Sequence, residues 1–295
     1  MSSKASQLRQ VIARDCVAMP GAFNAYTARL IEQAGFEAAY VSGAGLANAT
    51  AGVPDIGLLS LDEVARLCGW IAQAVSIPVI ADADTGFGGA SNVARTVVEF
   101  ERAGLAGLHL EDQEFPKRCG HLPGKSIIPV DEMAEKIRIA IRARTDPDFL
   151  IIARTDARAV EGPDAAIARA HQYLKAGADA IFPEAMQSAD EFAAFARGVS
   201  APLLANMTEF GKGPLLSVEQ LSRLGYRMVI FPQTAFRVGS KAALECLREL
   251  RKTGTQEAWL DRMQSRDDLY KVLQYDPASD EWPSEAHRKN RPGPL

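Results

Sequence analysis

Residues 77–84 read "IPVIADAD", an apolar run that ends in two acids. The run is too short for a helix and lacks polar–apolar alternation, so it fits a parallel strand buried on both faces. Seven other stretches share this character: "CVAM" (16–19), "AAYVS" (38–42), "AGLHLED" (106–112), "FLIIARTD" (149–156), "DAIFPEA" (179–185), "APLLANMTE" (201–209) and "MVIFP" (228–232). Amphipathic segments such as "SLDEVARLCGWIAQAV" and "GPDAAIARAHQYLKAGAD" lie between most of them. The second carries Pro163 near its first turn and Gly177 just past its end, which are helix start and stop signals. Eight strand–helix units without a break in composition predict an α/β chain folded as a single (β/α)8 TIM barrel over residues 1–275. Helical sequence near 234–252 and at 255–275 exceeds what a minimal barrel needs. The tail 276–295 is polar and proline-rich, and is expected to be poorly ordered.

The composition of the 295 residues, 47% hydrophobic and 24% charged, is that of a globular chain with a large core. A net charge of −4 without a long basic run argues against nucleic acid or an anionic membrane as partner. The start, "MSSKASQLRQVIARDC", lacks the apolar run of a signal peptide, and no apolar stretch nears membrane-spanning length, so the expected location is cytoplasmic. Cys16, Cys68, Cys119 and Cys246 form no CxxC pair, which argues against a disulfide framework or a zinc site.

Polar residues gather where the strands end: Ser42, Asp82, Asp84, Glu111, Asp112, Arg154, Glu184 and Asn206. In a barrel of this kind that rim carries the chemistry, because residues from many strands converge there. In "DADTGFGG", strand alternation would project Asp82 and Asp84 to the same side. Two carboxylates and no histidine pair favour Mg²⁺, with a helix cap and a solvated acid as the alternative. Glu111 stands one barrel position along, able to support that site from behind, while His109 reads as a hydrogen-bonded core histidine. In "YVSGAG", backbone amides after Ser42 can grip a carboxylate or simply form a tight turn. Arg154 and Arg237 suit bidentate carboxylate recognition or structural ion pairing. "KRCGH" (117–121) sets the Cys119 thiol among Lys117, Arg118 and His121, cations that favour thiolate and ready proton exchange. No Ser–His–Asp or Cys–His–Asn pattern points to acyl transfer.

"KRCGHLPGK", "DADTGFGG", "GLHLEDQ", "IIARTDA", "FPEA", "NMTEFG" and "TAFR", in this order, resemble the 2-methylisocitrate lyase family of the isocitrate lyase/phosphoenolpyruvate mutase superfamily, over about residues 10–275. The resemblance implies Mg²⁺-dependent cleavage of a 2-hydroxytricarboxylate into pyruvate and succinate, in propionate breakdown through the methylcitrate cycle. It implies Asp82 and Asp84 as metal carboxylates and Cys119 as the acid that protonates the succinate carbanion. It assigns substrate contacts to Ser42, Gly43, Ala44, Gly120, Arg154, Glu184, Asn206, Met207, Thr208, Arg237 and Arg266. Ala44 stands where relatives carry glycine. The base for the hydroxyl proton is left open among Tyr40, Glu111 and a water at the metal site. A last barrel helix exchanged between subunits, giving dimers that pair into a homotetramer, would account for the surplus helical sequence. Dimethylmalate or isocitrate cleavage would share these motifs. A mutase or decarboxylase would share the metal but not need Cys119, and a non-catalytic anion-binding barrel would tolerate losses from the set.

Overall fold

The computed structural model describes residues 2–118, 120, 122, 124–278 and 282; Cys119, His121 and most of the tail 276–295 lie outside the described residues. A strand overlaps each of the eight apolar runs: β1 (Val17–Ala22), β2 (Ala39–Val41), β3 (Val79–Asp82), β4 (Gly107–Glu111), β5 (Leu150–Thr155), β6 (Ala180–Pro183), β7 (Leu204–Asn206) and β8 (Met228–Phe231). All pair in parallel, in the order β6-β5-β4-β3-β2-β1-β8-β7. The two ends of that order meet through a parallel bridge between Ile181 and Leu203, which brings the sheet round into a barrel. Strands β2 to β6 are buried at every residue, as their unbroken apolar sequences require.

The outer helices begin where their caps lie. Ser60 accepts from the Glu63 amide while the Glu63 carboxylate accepts from the Ser60 amide, starting helix Leu61–Ala74. Pro163 opens helix Pro163–Lys175, and Gly177 follows its end at φ +108°. The amino-terminal helix Lys4–Arg14 buries Ala5, Leu8 and Ile12. Its Lys4 ammonium donates to the Ala72 and Val75 carbonyls, and Arg9 Nε donates to the Asp148 carbonyl. Those acceptors precede β3 and β5, so the helix covers the end of the barrel opposite the polar rim.

Three features depart from the sequence reading. β1 runs three residues past "CVAM". The small-residue stretch after β2 is helical, with Gly43–Gly45 continuing into the π-helical Leu46–Ala51. The segment 255–275 divides into a 3-10 helix, Glu257–Arg262, and a helix, Arg266–Leu273. Helix Thr234–Thr253 buries none of its residues and exposes Val238, Leu244, Leu247 and Leu250. No helix among the described residues is long and apolar enough to cross a membrane.

Candidate active site

The carboxyl ends of β2, β3 and β4 bring an acidic cluster together. Asp82 ends β3, but Asp84 has φ +46° and has left the strand. The pair therefore does not meet by strand alternation, as the sequence reading assumed. A turn delivers Asp84 instead, with its amide donating to Asp82 Oδ1 at 2.9 Å. A Cβ added at Gly43 would stand 3.0 Å from Asp82 Oδ2, so the backbone after β2 lies directly against this carboxylate. Ser42 caps that turn by accepting from the Gly45 amide at 3.2 Å.

Two residues complete the cluster in ways the sequence reading did not find. Asp55, on the loop after β2, carries no motif that would mark it. Lys117, read as a cation for the neighbouring thiol, sends its buried ammonium to Asp55 and to Asp84 Oδ1, the latter at 2.7 Å. Burial opposes the Lys117 charge, but Asp84, Glu111, Asp82 and Asp55 outweigh it and hold its pKa well above the ordinary value. Burial raises the Asp82 pKa, against the pull of Lys117. Burial also raises Asp84, with Asp82 and Asp55 adding to it, to about 6.

Three carboxylates here share one ammonium. A divalent cation would neutralise the surplus negative charge, and all-oxygen donors suit Mg²⁺. Glu111 Oε1 is buried without a hydrogen bond among the described residues, whereas Asp84 Oδ1 has the Lys117 ammonium. Among the described residues no three His, Cys, Asp or Glu side chains close on one point.

Across β4 to β7 the rim changes character. Arg154 Nε lies 3.0 Å from Asp156 Oδ2 and 3.3 Å from Glu111 Oε2, and its Nη1 lies 3.5 Å from Glu184 Oε2. Its guanidinium stacks over Phe182, 5.1 Å from the ring centre. Asn206 Nδ2 approaches Glu184 at 3.3 Å, and the Thr208 hydroxyl donates to Asn206 Oδ1 at 2.7 Å. A Cβ at Gly120 would stand 2.5 Å from Glu184 Cγ and 2.6 Å from Arg154 Nη2, closer than any real side chain. The lack of a side chain at Gly120 thus lets its backbone settle onto these two side chains.

Between the two halves, Tyr40 and His109 share a 2.9 Å hydrogen bond. Burial, then Arg154, lowers the His109 pKa to about 3, so the ring is neutral, as the core reading expects. Burial pushes the Tyr40 phenol well up. Burial likewise pushes the Glu111 carboxyl well up against the pull of Arg154.

The remaining assigned residues lie further out. Met207 is buried, its amide donating to the Ile230 carbonyl and its Sδ accepting from the Leu216 amide, so its side chain packs against the loop after β7. Arg237, in the first turn of helix Thr234–Thr253, is half-exposed, 3.6 Å from Glu209 and over the Phe210 ring. Arg266 is exposed at the start of helix Arg266–Leu273, which packs on helix Ala25–Gln33. Pro232 meets the backbone of β1, since a Cβ at Gly21 would stand 2.0 Å from the Pro232 carbonyl oxygen.

The profile of a family described as phosphoenolpyruvate phosphomutase matches residues 8–251. The chain belongs to that family. Within it the chain is similar to the 2-methylisocitrate lyase of Aeropyrum pernix, 52% identical over 269 residues, covering 91% of this chain and 86% of the relative. Among solved structures it resembles 2,3-dimethylmalate lyase, a member of the PEP mutase/isocitrate lyase superfamily. The TM-score is 0.89 at 34% identity, over 98% of this chain and 96% of the other. It also resembles a phosphonopyruvate hydrolase in complex with oxalate and Mg²⁺, at TM-score 0.84 and 32% identity, over 92% of this chain and 95% of the other. A phosphoenolpyruvate phosphomutase family barrel with the acidic cluster on β2–β4 and the arginine–amide group on β5–β7 offers one rim for a cation and for several substrate carboxylates.

Proposed function

We propose that this protein is a Mg²⁺-dependent carbon–carbon lyase that cleaves 2-methylisocitrate to pyruvate and succinate. The observation that carries the reading is the meeting, on one rim, of the Asp55–Asp82–Asp84 cluster with Gly120 pressed onto Arg154 and Glu184. The similarity to 2-methylisocitrate lyases supplies the substrate.

Mg²⁺, when bound, supplies Lewis-acid stabilisation of the negative charge that develops as the bond breaks. Asp82 and Asp84 would hold it. The amides after Ser42, at Gly43 and Ala44, hold the half that becomes pyruvate. Arg154, Asn206 and Thr208 orient the carboxylates of the half that becomes succinate, Glu184 fixes the Arg154 and Asn206 side chains, and Arg237 guards the open side of the mouth. Met207 contributes by packing. Cys119, reached through Gly120, delivers the proton to carbon. Of the side-chain candidates for the base, Glu111 fits better than Tyr40. Burial raises both pKa values, but a carboxyl starts from a far lower ordinary value than a phenol, so Glu111 is the easier of the two to hold in the ionised, proton-accepting form.

Phe182, buried under Arg154 and edge-on to His109, is the apolar wall for the extra methyl group. One methyl in a pocket is worth ~1–3 kcal/mol. Isocitrate is therefore expected to be a poor but detectable substrate, at about 10- to 200-fold lower kcat/KM. A keto-acid release assay over 2-methylisocitrate, isocitrate, 2,3-dimethylmalate and oxaloacetate tests this. Equal rates on isocitrate and 2-methylisocitrate would refute the substrate, and preference for dimethylmalate would favour the activity of the structural relative.

The apolar face of helix Thr234–Thr253 belongs, in the same reading, against a second copy of the chain, in dimers that pair into tetramers. Arg266 would then lie near a neighbour's mouth. A monomeric mass by light scattering would contradict this.

A further inference from the structure

Lys125 carries no assigned role, yet it is buried at the return limb of the "KRCGHLPGK" segment. Its ammonium donates to the Gly120 carbonyl at 2.6 Å and to Asp156 Oδ1 at 2.5 Å. Asp156 is the carboxylate that holds Arg154, accepting from its Nε at 3.0 Å. Asp156 is itself fixed from below. Its amide donates to Asp112 Oδ1 at 2.8 Å, while Thr155 and Tyr173 donate their hydroxyls to Asp112 Oδ2 at 2.8 Å and 2.7 Å. Arg169 Nη1 donates to the Ile128 carbonyl at 2.9 Å, and the Ile128 amide donates to the Asp112 carbonyl, anchoring the far end of the segment to the same residue.

We propose that Lys125 is a positioning residue that ties the backbone beside Cys119 to the carboxylate that orients Arg154. One buried acid thus registers the proton donor against the arginine that holds the carbon receiving the proton. The inference rests on the lyase reading for its effect on turnover, and on geometry alone for its effect on the segment. A neutral residue at 125 leaves Asp156 paired with Arg154, so no buried carboxylate is stranded and folding is expected to survive. What is lost is the donor to Gly120, and with it the register of the neighbouring thiol.

The test compares wild type with Lys125→Met and Lys125→Arg by limited trypsin digestion, melting temperature, Mg²⁺ binding and steady-state kinetics. Arg118 is exposed in the segment and supplies the cleavage site. Lys125→Met is expected to keep the melting temperature and Mg²⁺ affinity of wild type. Its cleavage after Arg118 should be at least ~10-fold faster, since the local opening that exposes that bond no longer breaks the tie. Its kcat should fall at least ~10-fold with KM changed less than ~3-fold, the signature of lost orientation. Lys125→Arg, which keeps a charged donor, should restore most of both. Wild-type cleavage and kcat in Lys125→Met would overturn the proposal. So would a variant that melts early or fails to fold, because Lys125 would then be a support of the barrel. The digestion needs no substrate, so faster cleavage in a protein inactive on 2-methylisocitrate would sink the lyase reading and leave the tie standing.

Discussion

Asp84→Ala is expected to abolish turnover, and EDTA is expected to do the same to the unmodified protein until Mg²⁺ is restored. Asp82→Ala should behave alike. Three carboxylates on β2–β3 and its turns share the Lys117 ammonium, and burial has raised the pKa of Asp82 and Asp84 because their charge is incompletely compensated. A divalent cation supplies that compensation and stabilises charge at the reacting oxygens, an effect of several kcal/mol, so a loss of about 10³-fold or more is expected. The sign of the pH dependence follows. A proton competes with the metal for Asp84, whose pKa is raised to about 6, so lowering the pH below that value neutralises the ligand and weakens binding. Mg²⁺ affinity measured calorimetrically should be about 10-fold weaker at pH 5 than at pH 7.5. Full activity in EDTA after metal-free purification would remove the metal from the mechanism, and a pH-independent affinity would remove Asp84 as its titrating ligand.

Cys119→Ser is expected to fold, bind Mg²⁺ and substrate, and lose at least ~10²-fold in kcat, the scale of a positioned general acid. Serine keeps the shape, but its hydroxyl is a far weaker acid than a thiol near ~8.5. Gly120 lies against Glu184 and Arg154, on the carboxylate-binding half of the rim. The other thiols are poorly placed to compete. Burial raises Cys68 well above the ordinary range and Cys16 to about 11. In a Cys246→Ser background, iodoacetamide should therefore alkylate Cys119 first, and bound substrate should protect it. Near-wild-type turnover in Cys119→Ser would make the thiol a bystander and favour a decarboxylase or mutase reading.

The barrel was legible because parallel strands buried on both faces leave an unmistakable trace: short apolar runs without alternation, each ending in a polar residue. The rim was legible for residues at strand ends, such as Ser42, Asp82, Glu111, Arg154, Glu184 and Asn206. Residues on turns were harder. Asp84 belongs to the site, but through a left-handed turn rather than the strand periodicity invoked for it. Asp55 left no signal, because a lone acid between "VP" and "IG" looks like any loop residue. Lys117 and Lys125 sit eight residues apart in one segment and face different carboxylates, a split set by tertiary packing that no local pattern encodes.

Incubating the protein with Mg²⁺ and 2-methylisocitrate in deuterium oxide, and following the products by NMR, tests the account most directly. Cleavage between the hydroxyl-bearing carbon and its neighbour, followed by protonation of the carbanion from Cys119, should give pyruvate and singly deuterated succinate in equal amounts. Cys119→Ser should yield neither at a comparable rate. Absence of pyruvate, or carbon dioxide released in place of succinate, would contradict the assignment of this barrel as a 2-methylisocitrate-cleaving lyase.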